Sequence, residues 1–250
     1  MEPVLALAGG AGGLALLAGT MAAAGVVRGF TGFGTALIFM PVATTVIEPA
    51  LAVLILVTTG MAVWPVLLPP AWANAARGEV AWMGAAALVA TRLGVAALRL
   101  VPAEALRWLV AVAASLTLAA LVSGWRYRAR VGRAGLAAVG AASGLLGGAT
   151  GLGGPPAILF YLAGPSRAVQ VRANTILFLC VLDIAILANL ALQTRIGGAA
   201  LGLCAALALP YVATTLMGQA LFRPELERTY RGLAYALIAA AILVGLPLGG

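Results

Sequence analysis

Arg28 stands directly before a glycine-dense stretch, Gly29-Phe30-Thr31-Gly32-Phe33-Gly34, in a chain whose basic residues are all arginine. A guanidinium grips an oxyanion through two parallel hydrogen bonds, and glycines let backbone amides come close to such an ion. A matching stretch returns as Gly148-Ala149-Thr150-Gly151-Leu152-Gly153, followed by Gly154 and Pro155. Aligned on G-x-T-G-x-G, position 29 recurs at 148, an offset of 119. The candidate substrate-binding residues are therefore Arg28, Gly29, Thr31, Gly32 and Gly34 in the first copy, and Gly148, Thr150, Gly151, Gly153, Gly154 and Pro155 in the second. Gly147 occupies the place aligned with Arg28, so this site would be asymmetric. The competing reading is structural: the glycines let helices pack closely, and Arg28 is a cytoplasmic-loop arginine obeying the positive-inside rule.

Asp183, in Leu179-Cys180-Val181-Leu182-Asp183-Ile184-Ala185-Ile186-Leu187, is the one carboxylate deep inside an apolar run. An acid so placed is a functional candidate by default, here for coupling or a proton relay; its alternative is a structural partnership with Arg92 or with polar groups on neighbouring helices. Asn174, Asn189 and Gln193 lie on the same segment but not on one helical face with it. Little else could react. There is no His, no pair of carboxylates at helical spacing, and no G-K-[ST] after either glycine motif. Cys180 and Cys204 match no metal or redox spacing. No catalytic residue, metal site or cofactor is expected.

The elements that must hold these residues are membrane helices. The chain is 63% hydrophobic and 9% charged, with a mean hydropathy of +1.09; too few charges exist to cover a soluble surface, and lipid takes their place. The formal charge of +8 comes from arginines lying singly or in small groups between apolar runs, which fits the positive-inside rule and not nucleic-acid binding. With about 20 residues needed per crossing, ten apolar segments are expected, near 4–27, 30–47, 50–68, 80–98, 104–124, 134–147, 152–164, 172–191, 197–217 and 229–248. No cleavable signal peptide is expected at the start. Glycine costs about 1 kcal/mol in a helix interior relative to Ala, so both motifs should break a helix at matching places.

The densest basic cluster, residues 125–133, divides the chain into a first membrane repeat at 1–124, a cytoplasmic linker, and a second repeat at 134–250. Five segments per half insert the halves in opposite orientations. The cytoplasmic side would then carry Arg28, Arg77, Arg167, Arg172, Arg223, Arg228 and Arg231, leaving Arg99 and Arg195 outside. The expected fold is all-α and polytopic: two inverted repeats of about five apolar segments each, with 8–10 membrane segments and broken or re-entrant helices at the glycine motifs.

The segments Gly25-Val-Val-Arg-Gly-Phe-Thr-Gly-Phe-Gly-Thr-Ala-Leu-Ile-Phe-Met-Pro41 and Gly144-Leu-Leu-Gly-Gly-Ala-Thr-Gly-Leu-Gly-Gly-Pro-Pro156 resemble the TauE/SafE family of bacterial membrane transporters, often called sulfite exporters. The resemblance covers nearly the whole chain. It implies a multi-pass permease of the bacterial inner membrane that exports a small anion, commonly sulfite, sulfoacetate or a related acid, by alternating access. Its partners would be that anion, the lipid bilayer, protons as a coupling ion, and a second copy in a homodimer. Two rivals remain open, a passive anion channel and a non-transporting scaffold or assembly subunit.

Overall fold

The computed structural model describes residues 2–124, 131–164, 166–193, 196–221 and 227–247. Residues 125–130 of the basic linker, Arg195 and Arg223 lie outside them. Among the described residues all regular structure is helical. The first half runs α1 (Glu2–Leu7), α2 (Gly10–Thr31), α3 (Thr35–Ala43), α4 (Pro49–Ala62), α5 (Trp64–Asn74), α6 (Arg77–Leu100) and α7 (Ala103–Ser123). The second runs α8 (Arg133–Thr150), α9 (Gly154–Ala163), α10 (Ala168–Gln193), α11 (Gly198–Leu221) and α12 (Glu227–Gly245).

Each expected apolar segment is a helix, with two differences. The first segment is split at Gly9 and Gly10, whose φ values of 76° and 85° are left-handed. The third is bent by 70° between α4 and α5, where Pro65 at the start of α5 lacks the amide that would continue the helix. α2, α6, α7, α11 and the part of α10 from Val169 are long and apolar enough to cross a bilayer, and the bent α4–α5 pair is so only when its two helices are taken together, as one broken span or a re-entrant loop. α3 and α9, at 9 and 10 residues, are about 14 and 15 Å long, half the hydrocarbon thickness. The chain is a multi-pass membrane protein.

Both glycine motifs end one helix and start the next. α2 stops at Gly32 (φ 79°) and α8 at Gly151 (φ 74°), the left-handed conformation that closes a helix. In each, the cap amide donates to a carbonyl four residues back, Gly32 to Arg28 and Gly151 to Gly147, both at 2.8 Å. The helix starts obey the same offset of 119: α3 begins at Thr35 and α9 at Gly154, α4 at Pro49 and α10 at Ala168.

After each break the chain turns back on itself. Gly13, early in α2, and Val46, just after α3, face each other closely enough that a Cβ on Gly13 would stand 2.9 Å from the Val46 side chain. α3 therefore returns toward the level where α2 began. One face of the protein collects Arg77 over the Trp72 ring (5.3 Å), Arg133 over Trp82 (5.4 Å) and Phe30 stacked on Tyr230 (4.4 Å). The opposite face holds Arg99, which donates to the Gln193 carbonyl at 3.0 Å, and the contact between Gly202 and Val4. Successive units alternate between these faces, and α8 starts on the face opposite to that of α2.

Two helix pairs, α2 with α11 and α6 with α8, form the most extensive contacts, and small residues let them. A Cβ on Gly29 would lie 2.7 Å from Gly218 Cα; one on Gly148 would lie 2.9 Å from Gly94 Cα. Gly25 faces the Tyr211 carbonyl and Gly144 the Ala87 carbonyl in the same manner. Gly25 and Gly144 are again 119 apart, so the two crossings are one contact used twice. Gly148→Val should therefore abolish folded protein, since its side chain would meet Thr91 O, Val95 N and Gly94 Cα within 3 Å and no rotamer relieves a backbone clash. Gly19→Ala, where nothing lies within 4 Å, should cost nothing and gain up to about 1 kcal/mol of helix propensity. Detergent thermal unfolding of both variants checks the pair.

Candidate functional site

A cavity lies between the two breaks, bordered by Gly34 from one motif and by Gly151, Gly154 and Pro155 from the other. Arg28 of α2, Asp183 of α10 and Tyr211 of α11 also line it. About 50 Å3 is open to the centres of water-sized spheres, room for roughly three or four waters or one small oxyanion.

The polar groups within it come from four helices. Arg28 is only 8% exposed, and its Nε has no hydrogen-bond partner among the described residues. A buried guanidinium N–H without an acceptor costs on the order of 1–3 kcal/mol, so an acceptor entering the cavity would be favoured there; Arg107 Nε is likewise unpartnered among the described residues. Thr35 Oγ1 and Tyr211 OH share a hydrogen bond of 3.0 Å. Asp183 approaches α4 at Gly60, where a Cβ would sit 3.2 Å from its Oδ2. Gly60 thus leaves the space that the carboxylate occupies.

The backbone adds donors. The first-turn amides of a helix have no intrahelical acceptor and carry the positive end of its dipole. In α3 the first turn closes where Ile38 N–H meets Gly34 O at 3.2 Å, and Thr35, Ala36 and Leu37 before it line the cavity. α9 is poorer, because Pro155 and Pro156 remove two amides from its first turn. An anion in this cavity would be bound chiefly from the α2–α3 side.

Thr31 and Thr150 are used differently from the sequence expectation. Thr150 Oγ1 donates to Leu146 O at 2.7 Å and accepts from Leu152 N–H at 3.2 Å. Thr31 Oγ1 accepts from Phe33 N–H at 3.2 Å and has Val27 O and Phe33 O within reach of its single proton, at 2.9 and 2.7 Å. Both hydroxyls cap the ends of their own broken helices. Gly29 and Gly148 face the helix crossings described above, and a Cβ on Gly153 would stand 2.8 Å from Ser143 O. Of the sequence candidates, Arg28, Gly34, Gly151, Gly154, Pro155 and Asp183 line this cavity together.

Thr31 and Gly32 instead line a second, wider cavity of about 540 Å3 with Arg172, Thr175, Tyr230 and Arg231. Phe33 and Ile158 border both cavities and form the wall between them.

The model of the family described as Sulfite exporter TauE/SafE matches residues 6–245, a span that contains both breaks and both cavities. The chain belongs to the TauE/SafE family. It is a membrane transporter of the anion-exporter type. No curated protein and no solved structure matches it.

Within this TauE/SafE chain, sequence reasoning overlooked Thr35, Gly60, Tyr211 and Arg172. Thr35 follows directly on the motif, and Tyr211 is a hydroxyl inside a long apolar run; both signals were present. Gly60 and Arg172 carry no local signal. Arg92, the alternative partner for Asp183, is exposed on α6, and Asn174 is used by Ala76 N–H at 2.7 Å.

The caps give a test. Thr150→Val removes both hydrogen bonds at the second break and should lower stability by about 0.5–2 kcal/mol, while Thr150→Ser keeps the oxygen and most of that stability. Neither should change the KM for a transported anion. Thermal unfolding and proteoliposome flux on both variants separate this capping role from substrate contact.

Proposed function

We propose that the protein exports a small anion across the bacterial inner membrane as a secondary transporter, binding it in the cavity between the breaks. The anion is a sulfur oxyanion such as sulfite; a longer organosulfonate such as sulfoacetate needs a wider cavity than about 50 Å3. The observation that carries this reading is the buried Arg28 Nε with no acceptor, beside the free first-turn amides of α3. The guanidinium and these amides hold the oxyanion, and Thr35 and Tyr211 are positioned to donate or accept as its protonation changes.

Asp183 supplies coupling in this reading. Its carboxylate and the substrate are two anions beside one arginine, and they cannot both be charged there without repulsion. A proton on Asp183 removes that conflict, so proton and anion movement become linked.

The two halves, 1–124 and 134–250, act as inverted repeats that rock about the central cavity. Support comes from the walls. Phe33 and Ile158 separate the cavity from the arginine-bearing face, and at the offset of 119 their counterparts are Leu152 and Phe39. Both counterparts are 0% exposed. Tightly packed side chains on that side favour alternation over a standing pore.

Arg28→Gln removes the charge and should lower saturable sulfite flux in proteoliposomes by on the order of a hundredfold, the effect of losing two charge-assisted hydrogen bonds. Wild-type KM and kcat in this variant would overturn the site. Asp183→Asn should still exchange anion for anion, but an imposed pH gradient should no longer drive net flux. Gradient-driven accumulation by Asp183→Asn at the wild-type rate would remove the coupling role.

A further inference from the structure

The wider cavity bordering Phe33 and Ile158 contains a second arginine that neither the sequence motifs nor the family assigns. Arg172, the fifth residue of α10, is exposed and lines it. Its position is built. The side chain lies across the break, with Cγ and Nε 3.4 Å and Cδ 3.7 Å from where a Cβ on Gly32 would be. Gly32 thus serves twice: its φ of 79° closes α2, and its bare Cα lets the arginine stem lie flat on the chain turn that leads to Phe33.

Arg172 and Arg28 are close enough to repel one another, and the Phe33–Ile158 wall stands between their cavities. Two like charges facing a common passage are relieved by an anion, and the relief is available on either side of the wall. The surroundings suit an oxyanion: Thr175 and Thr31 border the same space, while Arg231, whose side chain lies 3.2 Å from Tyr235 OH, adds positive charge. The arginines gathered at this face place it in the cytoplasm by the positive-inside rule, the side from which an exported anion must enter.

We propose that Arg172 forms a capture site for the transported anion at the cytoplasmic mouth and passes it, across Phe33 and Ile158, to Arg28. This rests on the transporter reading above. The ligand is a small oxyanion carrying one or two charges; a lipid phosphate headgroup has the same chemistry and is the other possible source. A charge at the rim of a site acts on encounter more than on the bound state. Arg172 therefore sets the apparent affinity, and Arg28 the turnover.

The test measures saturable flux of radiolabelled sulfite from proteoliposomes for wild type, Arg172→Gln and Arg172→Lys, in neutral phosphatidylcholine and in vesicles containing anionic lipid. Arg172→Gln should raise KM roughly tenfold with kcat within about twofold, a loss of one charge contact, and should flatten the dependence of KM on ionic strength. Arg172→Lys should recover most of the KM. The result should be the same in both vesicle types. An unchanged KM in Arg172→Gln, or a fall in kcat alone, would overturn the capture site while wild-type flux leaves the transporter reading intact. A KM defect confined to anionic vesicles would assign Arg172 to lipid headgroups and overturn it as well. Absence of any saturable wild-type flux would remove the transporter reading itself. If Arg172→Gln fails to fold, the smaller KM rise expected of Arg172→Lys decides the question in the same way.

Discussion

A chain that stops being helical inside a bilayer exposes amides and carbonyls for which lipid has no partner. The structure depends on how that requirement is met at two places. At each break a glycine in the left-handed conformation closes the first helix, and a threonine hydroxyl takes up an amide that the turn leaves over, Phe33 N–H at Thr31 and Leu152 N–H at Thr150. What remains unsatisfied is the first turn of the next helix. In α9 prolines reduce that remainder. In α3 nothing does, and the open amides sit beside Arg28. Between the two breaks, the unsatisfied backbone is thus concentrated on the α3 side of the cavity.

The scaffold is symmetric and its chemistry is not. Gly25 and Gly144, Gly29 and Gly148, Gly32 and Gly151 keep the same roles at the same offset, in helix crossing and in capping. The residues with hydrogen-bonding side chains in the cavity have no charged or hydroxyl-bearing counterparts. Arg28 aligns with Gly147, Thr35 with Gly154 and Asp183 with Trp64, while Tyr211 and Ala87 present equivalent carbonyls to Gly25 and Gly144. Duplicated backbone provides two stretches of like geometry at the breaks. A single set of donors suits the one anion site proposed above, because two facing arginines in so small a space would repel each other more than one anion could offset.

The breaks were legible in the sequence because they depend on local backbone chemistry: glycine and threonine in register, twice, with a proline following. Arg28 and Asp183 were legible because a charge in an apolar run is expensive wherever it falls. Which side of a glycine faces a cavity was not legible. Gly29 and Gly34 look alike in the sequence, yet one contacts Gly218 of α11 and the other borders the cavity; that choice is made by the angle at which α2 meets α11. Gly60 and Arg172 escaped for a related reason. Each matters only through a residue more than a hundred positions away, Asp183 for one and Gly32 for the other.

The two cavities differ in size by about tenfold, roughly 50 against 540 Å3, and this difference bears on how binding and movement are joined. A hydrated anion fits the wide cavity with its water and fits the narrow one only without it. In the transport reading proposed above, crossing the Phe33–Ile158 wall has the ion exchange its hydration for Arg28 and the α3 amides in one step, and donors held in place by helix geometry make that exchange without further reorganisation. An ion with weaker hydrogen-bond acceptors would lose its water and gain less in return. On that proposal selectivity resides in the cost of passing the wall, and because the broken helix that supplies the compensating amides also carries Phe33, the element proposed to bind the ion is the one that would move to release it.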